Sequence, residues 1–149
     1  MRSSIILLLV ALLILPTTAD ARRRNASPTD SANSSVSAGC AAWGGESLEI
    51  NATNDKSVFV VSLWGRGYQM LKMGGRSVST DGVEGESGSG SGLVCAAGQA
   101  TTGCQPQNLQ VNFQSLDMQP GGLVSGTVSA GGDTANFQGA WPSAPAQCK

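Results

Sequence analysis

The feature that most constrains the fold of this chain is a strict alternation of apolar and polar residues within short segments. Residues 46–53 read ESLEINAT and residues 108–115 read NLQVNFQS. Successive side chains of a β-strand point to opposite faces, so this period of two predicts half-buried strands. Residues 57–64, SVFVVSLW, are apolar on both faces and predict a central strand that is covered on both sides.

A pair of glycines marks the turn of a hairpin. Residues 123–130 and 133–141 are both strand-like, and only Gly131 and Gly132 separate them. Two glycines supply the positive φ angles that a two-residue turn between antiparallel strands requires. The sequence therefore predicts a β-hairpin over residues 123–141.

Glycine also divides the middle of the chain. After a break at residues 65–67, residues 68–73 resume an apolar pattern that predicts a short strand, and residues 76–80 predict a weaker one. Residues 85–92, GESGSGSG, contain too few apolar groups to offset the entropy lost on ordering. This last segment is predicted to be a mobile loop.

The overall pattern favours an all-β fold. We expect about seven to eight short strands at a spacing of roughly eight to twelve residues, and we find no periodic segment of helical length. This arrangement predicts an antiparallel β-sandwich, with a small β-barrel as the alternative.

The N-terminus has the pattern of an export signal. A positive residue precedes an uninterrupted eleven-residue apolar run at residues 5–15, and the small-residue pattern ADA follows at residues 19–21. The run is too short for a hydrocarbon core that needs about twenty residues. Residues 1–21 are therefore predicted to be a signal peptide. The mature chain is expected to be secreted or periplasmic, with no membrane span after cleavage.

The mature chain begins with a polar segment. Residues 22–38 are rich in Ser, Asn and Ala and predict a disordered linker, so the all-β domain is expected to span residues 39–149. Asn25, Asn33 and Asn51 each begin an N-x-S/T sequon. They are candidate glycan acceptors if the chain passes through a eukaryotic secretory pathway.

The cysteines predict disulfide cross-links. Cys40, Cys95, Cys104 and Cys148 form an even set in an exported chain, which favours two disulfides. Three pairings are possible, and we favour Cys40 with Cys148 and Cys95 with Cys104. Their spacing does not match a CxxC-type zinc site.

Histidine is absent from the chain, which removes several large classes of catalysis. A Ser-His-Asp triad, a Cys-His dyad and an imidazole zinc site all need this residue. The formal net charge of −1 provides no basic field for nucleic acid. A phosphate-binding Gly-Lys loop is also absent from the sequence. We therefore predict no cofactor, no metal and no nucleic-acid partner.

Carboxylates are the remaining acid and base groups. None of them lies in a local catalytic motif, although a pair of them could act as general acid and base. The candidates in the folded part are Glu46, Glu49, Asp55, Asp81, Glu84, Glu86, Asp117 and Asp133.

One bend has the residue types of a recognition site. Trp64, Arg66 and Tyr68 are interleaved with glycines, and rigid aromatics and arginine are enriched in binding hot spots. These three residues are the predicted binding site, although Trp64 also suits the core at the end of an apolar strand. Trp43 and Trp141 lie near the disulfide ends and are predicted to be structural plugs.

These features favour a small exported, non-enzymatic β-domain that binds a protein or an envelope glycan. The first alternative is an exported hydrolase that uses carboxylates. The second is a protease or hydrolase inhibitor that presents the loop between Cys95 and Cys104, because a disulfide-closed loop loses less entropy on binding.

Overall fold

The structure, a computed structural model, describes residues 33–98, 103–143 and 147–148. The predicted signal peptide and residues 22–32 of the predicted linker lie outside the described residues. The described part contains nine strands and one helix. In chain order they are β1 (Ser35–Cys40), β2 (Glu46–Thr53), β3 (Ser57–Trp64), α1 (Gly65–Lys72), β4 (Ser77–Ser79), β5 (Ser91–Ala96), β6 (Gln105–Pro106), β7 (Gln110–Leu116), β8 (Leu123–Ala130) and β9 (Asp133–Ala140).

The strands form two antiparallel sheets that enclose one core. The five-stranded sheet has the order β1-β2-β3-β5-β6, and the four-stranded sheet has the order β4-β7-β8-β9. The predicted β-sandwich is confirmed. The barrel alternative is wrong, because the two sheets stay separate instead of closing into one.

Alternation along the strands places the apolar side chains between the two sheets. Ile50 and Phe59 of the five-stranded sheet and Val111 of the four-stranded sheet are completely buried in one cluster. Phe113 packs edge-on against Phe137, with the ring centroids 5.5 Å apart. This pair lies within the four-stranded sheet, whereas the shared core cluster joins the two sheets face to face.

The central position of β3 is confirmed, but only one of its faces is fully covered. Phe59 and Val61 point into the core and are completely buried. Val58 and Val60 on the other face are only half-buried. The uncovered face carries polar contacts as well, because the Ser62 hydroxyl donates to Glu49 Oε1 at 2.5 Å.

The glycine-marked hairpin is confirmed. β8 pairs with β9 from Leu123 opposite Ala140 to Ala130 opposite Asp133, which leaves two residues in the turn. Gly131 has a φ of 55° and its neighbour Gly132 has a φ of 92°. Both angles are positive, as a tight turn between twisted strands requires.

The strand predicted at residues 68–73 is wrong, because the chain forms α1 over Gly65–Lys72. Gly67 and Leu71 are four residues apart and share the buried side of this helix. The first turn of this helix is held by a residue outside it, since the Arg66 N–H donates to the Gly88 carbonyl oxygen at 2.8 Å. The weaker strand predicted after it is present as β4.

The folded part begins earlier than predicted. β1 starts at Ser35, so residues 35–38 belong to the sheet and not to the linker. The Ser34 hydroxyl donates to the Gln138 carbonyl oxygen at 3.1 Å and accepts from the Gln138 N–H at 3.0 Å. Val36 packs against the core. A polar segment is therefore ordered by partners on both sides.

Both predicted disulfides are confirmed. Cys40 is bonded to Cys148 across 108 residues of sequence, and Cys95 is bonded to Cys104 across nine. Disulfides persist in oxidising compartments, so the pair indicates an extracytoplasmic environment. Within the described ranges, none of the helical structure is long and apolar enough to cross a membrane.

Candidate functional site

The first turn of α1 packs on a segment that is distant in sequence. Residues 81–90, here called the glycine loop, lie between β4 and β5. The Trp64 indole N–H donates to the Val83 carbonyl oxygen at 3.1 Å. Only 8% of Trp64 is exposed. Trp64 is therefore a buried anchor for the glycine loop.

Arg66 is fixed on the same loop by its guanidinium group. Its Nη2 lies 3.0 Å from Asp81 Oδ2, and Nε donates to the Ser89 hydroxyl at 3.2 Å. The backbone N–H groups of Ser89 and Val83 donate to Asp81 Oδ1 at 2.9 and 3.1 Å. Burial raises the pKa of the Asp81 carboxyl, but the hydrogen bonds from Ser89 and Val83 and the Arg66 charge together hold that pKa below its ordinary value.

Glycines, which have no side chain, let α1 and the glycine loop approach each other closely. A Cβ on Gly67 would overlap the Ser89 carbonyl oxygen, and a Cβ on Gly88 would overlap a carbonyl oxygen within the loop itself. Gly88 and Ser89 are buried. The prediction of a mobile loop at residues 85–92 is wrong, because packing against α1 orders residues that composition alone left free.

Tyr68 faces a different side of α1 from Arg66. Residues two apart in a helix point in nearly opposite directions, whereas in a strand they would share a face. The Tyr68 ring stacks on Trp141, with centroids 6.2 Å apart and planes inclined by 7°. Lys72 Nζ lies 4.6 Å from the centroid of the Tyr68 ring. Burial raises the pKa of the Tyr68 hydroxyl, and the nearby negative charge of Glu46 raises it further.

Tyr68 belongs to a cavity that we call the aromatic cleft. The cleft has a volume of about 320 Å³. Three elements form it, namely the turn before β2, the helix α1 and the glycine loop. Its lining residues are Trp43, Glu46, Gly65, Tyr68, Gln69 and Glu86. Sites for small ligands have volumes of about 300–1,000 Å³, so the cleft lies at the small end of that range.

Trp43 supplies the exposed aromatic surface of the cleft. The side chain is 39% exposed. Its ring lies against Gly45, because a Cβ on that glycine would overlap the ring atoms. The turn is closed by hydrogen bonds of 2.8 Å from the Ala41 N–H to the Gly45 carbonyl and from the Gly44 N–H to the Ala41 carbonyl. The indole is therefore held in place while it remains accessible.

The lining of the cleft carries negative charge. Glu46 and Glu86 contribute two carboxylates, and the lining includes no basic side chain. Glu46 Oε2 lies 3.6 Å from Lys72 Nζ. The ion pairs formed among the described residues are this one and the pair between Arg66 and Asp81, so Glu86 has no basic partner there.

The structure separates the three predicted binding residues. Tyr68 lines the aromatic cleft, whereas Trp64 and Arg66 hold the glycine loop. Trp141 is buried, as a structural plug should be, at 9% exposure. The same prediction for Trp43 is wrong, because its ring is exposed on the cleft. The sequence offered a signal for this, since Gly44 and Gly45, which follow Trp43, have no side chains to cover its ring.

The other candidate residues are dispersed. Of the eight carboxylates considered as catalytic groups, Glu46 and Glu86 line the cleft. Residues 99–102, which lie between Cys95 and Cys104 in the sequence, are outside the described residues. Across the ranges that the structure describes, no three acidic, cysteine or histidine side chains are grouped to hold a metal ion.

The sequons have different surroundings. Asn33 is exposed just before β1. Asn51 lies within β2, and its Nδ2 donates to the Ser35 hydroxyl at 3.1 Å. Asn25 lies outside the described residues. Use of these acceptors stays a prediction.

A second, wider cleft lies at the opposite end of the sandwich, beside the turn at Gly131 and Gly132. Its volume is about 480 Å³, and its lining consists of small, polar and aliphatic residues without an aromatic ring. Ligand sites are usually lined by apolar and aromatic groups with a few polar ones. The aromatic cleft fits this description better.

Comparison with known proteins adds no relative to this picture. The chain matches no family model, no curated protein and no solved structure. The geometry of the cleft therefore carries the functional argument.

Proposed function

We propose that this chain is a small exported, non-enzymatic β-domain that binds a glycan in the aromatic cleft. The supporting observation is the Trp43 ring, which lies exposed against Gly45 beside the polar groups of Glu46, Gln69 and Glu86. An aromatic face combines apolar contact area with a fixed orientation, and it can cover the C–H surface of a sugar ring. The carboxylates and the amide around it can accept and donate hydrogen bonds to sugar hydroxyls.

The distribution of aromatic residues supports this location. The chain has three Phe, three Trp and one Tyr. All three Phe residues are in the core between the sheets. The Trp and Tyr residues, which combine a ring with a polar group, are all found around α1 and the turn before β2. One end of the sandwich thus concentrates the residue types that suit an interface with water and ligand.

The shape of the site favours a sugar over a protein partner. A stable protein interface buries about 800 Å² on each side and needs a broad complementary surface. Five large apolar side chains are the most exposed among the described residues. Met70 and Met73 are neighbours at the end of α1, and the others lie on separate elements, namely Trp43, Val83 and Leu123. A concave cleft of about 320 Å³ is suited to one or two sugar rings.

Export is part of the proposal. The apolar run at residues 5–15 and the cleavage pattern at residues 19–21 support passage through a secretory pathway. The two disulfides suit the oxidising compartment that this route reaches. We place the mature protein in the periplasm or outside the cell, where envelope glycans are accessible.

The test is binding of the purified, oxidised protein to a panel of oligosaccharides, measured by calorimetry and by tryptophan fluorescence. We expect at least one glycan to bind and the Trp43→Ala variant to lose that binding while keeping its melting temperature. Leu123→Ala removes another exposed apolar side chain that is not part of the cleft lining, so this control should bind like the wild type. Absence of binding to every glycan, or equal binding by Trp43→Ala, would contradict the proposal.

A carboxylate-dependent hydrolase is the second candidate, because Glu46 and Glu86 line the same cleft. The ion pair of Glu46 with Lys72 makes it a less available acid or base. Incubation of any bound glycan with the protein, followed by mass spectrometry, separates the two functions. Cleavage that disappears in Glu86→Gln would establish the enzyme, and an intact glycan supports the binding domain.

A further inference from the structure

We propose that the aromatic cleft selects a glycan that carries a protonated amine, such as an amino sugar without its acetyl group. This inference rests on the proposed glycan-binding function and specifies its ligand class. Three observations support it, namely the charge of the lining, the internal contact of Lys72, and the position of Glu86.

The charge of the cleft favours a cation. Lys72 pairs with Glu46, so the unpaired Glu86 leaves one net negative charge at the cleft, and an entering anion such as a uronic acid meets repulsion. A neutral sugar can donate hydroxyl hydrogen bonds to these carboxylates but brings no opposite charge to them. A sugar with a protonated amine gains a charge-assisted hydrogen bond from a carboxylate, which is stronger than a bond between neutral groups.

Lys72 shows how this site accommodates an ammonium group. Its Nζ lies 4.6 Å from the centre of the Tyr68 ring and 3.6 Å from Glu46 Oε2. An ammonium over an aromatic face is attracted by the negative charge density of the ring. The protein's own side chain therefore already pairs one cation with one ring and one carboxylate of the cleft.

Glu86 and Trp43 offer the same combination to a ligand. Trp43 presents an accessible ring, and Trp is the best aromatic partner for a cation. Glu86 is exposed and, within the described part of the chain, forms no ion pair. The glycine loop holds Glu86 at the cleft, because this loop is anchored by Trp64. A ligand amine would thus take the carboxylate that Lys72 leaves unpaired.

The experiment compares two oligosaccharides that differ only in the acetyl group on each nitrogen, which removes the positive charge. These are β-1,4-linked oligomers of glucosamine and of N-acetylglucosamine with equal length, titrated into the full oxidised protein at a pH where the free amine is protonated. We expect the glucosamine oligomer to bind about tenfold more tightly. Added NaCl should weaken this preference, because salt screens exposed charge pairs.

Two variants test whether the charge of Glu86 causes the preference for the free amine. Glu86→Gln should weaken the glucosamine oligomer much more than the acetylated oligomer, because glutamine still offers a hydrogen-bond acceptor at the cleft but carries no charge. Glu84→Gln removes a carboxylate from the same loop at a position that does not line the cleft, so its preference should equal that of the wild type.

The outcomes are distinguishable. Equal binding of the two oligomers, or tighter binding of the acetylated one, would overturn the amine inference and leave the proposed glycan binding intact. An amine preference that survives Glu86→Gln, or that disappears in Glu84→Gln, would overturn the assigned position of the amine. Failure of both oligomers and of every glycan in the panel would overturn the proposed function itself.

Discussion

Two glycine-rich connections in this molecule are ordered for different reasons. The turn at Gly131 and Gly132 is open, since a Cβ on either residue would meet nothing within 4 Å. In the glycine loop at residues 81–90, Gly82 is equally open, but a Cβ on Gly88 would overlap the Val83 carbonyl oxygen. Glycine therefore provides positive φ angles in the hairpin turn, whereas at Gly88 what matters is the absence of a side chain.

This difference decides where each connection could serve function. The hairpin turn depends on its own two residues and joins two strands of one sheet. The glycine loop depends on Trp64 and Arg66, which come from another part of the chain. Because the loop carries Glu86 into the aromatic cleft, the contacts that order it also determine the geometry of the candidate site.

The largest expected effect is that of Gly88→Ala. The new methyl group would overlap the Val83 carbonyl oxygen and press on the Trp64 indole, so the loop must move. Overpacking of this kind costs up to about 3 kcal/mol of the free energy of unfolding. Urea denaturation measures the loss. Gly82→Ala is the control, because Gly82 has a φ of 67° with open space around it, and it should lose only about 1 kcal/mol.

Equal losses of stability in Gly88→Ala and Gly82→Ala would show that the loop moves to accommodate the new methyl group at little cost. The glycine loop would then not differ from the hairpin turn in its packing. If the proposed site is correct, Gly88→Ala should also weaken glycan binding. The reason is that displacement of the loop moves Glu86.

Trp64→Phe should have the next largest effect. Phenylalanine cannot donate to the Val83 carbonyl oxygen, and the smaller ring leaves space in a buried position. We expect a loss of about 2 kcal/mol in urea unfolding and faster proteolysis within the glycine loop. Trp43→Phe is the matched control, because the exposed Trp43 should change stability by less than about 0.5 kcal/mol. Similar losses in both variants would contradict the assignment of Trp64 as the anchor.

We expect Asp81 to make the stability of the protein depend on pH. Its pKa is lower in the folded protein than in the unfolded chain, so folding favours the ionised form. The stabilisation is complete above the unfolded pKa of about 3.9 and is lost as the pH falls through the lower folded value. At neutral pH, Asp81→Asn should therefore reduce the free energy of unfolding by about 1 kcal/mol.

The difference between wild type and Asp81→Asn should shrink as the pH falls below about 4. Urea titrations at several pH values measure this change. Asp55→Asn, on the exposed turn between β2 and β3, controls for the loss of one surface carboxylate. A difference that stays constant across the acid range would contradict the role of the Asp81 charge.

The parts of the fold that were predicted correctly depend on local chemistry. The alternation over β2 and β7, the hairpin of β8 and β9 and the pairing of four cysteines are all visible in short stretches of sequence. The predictions that were wrong concern segments whose structure depends on contacts with residues distant in the sequence. β1 is polar and is held by β2 and by Gln138, and α1 contains two glycines because the glycine loop packs against it.

The candidate site shows the same limit. Tyr68 was one of three predicted binding residues and it lines the aromatic cleft, but its relation to Arg66 depends on whether residues 65–72 form a strand or a helix. Glu86 was one of eight eligible carboxylates, and sequence alone gave no reason to choose it. Only the packing of the glycine loop against α1 brings it into the lining of the same cleft as Trp43.

The smallest effect belongs to the hairpin turn, where only backbone preference should matter. Gly131→Ala should cost about 1 kcal/mol, because its φ of 55° lies in the left-handed region that alanine disfavours. Gly131→Asn should cost less than about 0.5 kcal/mol, since asparagine tolerates this conformation and Asn-Gly is a preferred pair in such turns. Thermal or urea unfolding of both variants measures the contrast. Equal losses of stability in Gly131→Asn and Gly131→Ala would contradict this account. They would show that the turn, like the glycine loop, depends on contacts with other parts of the protein.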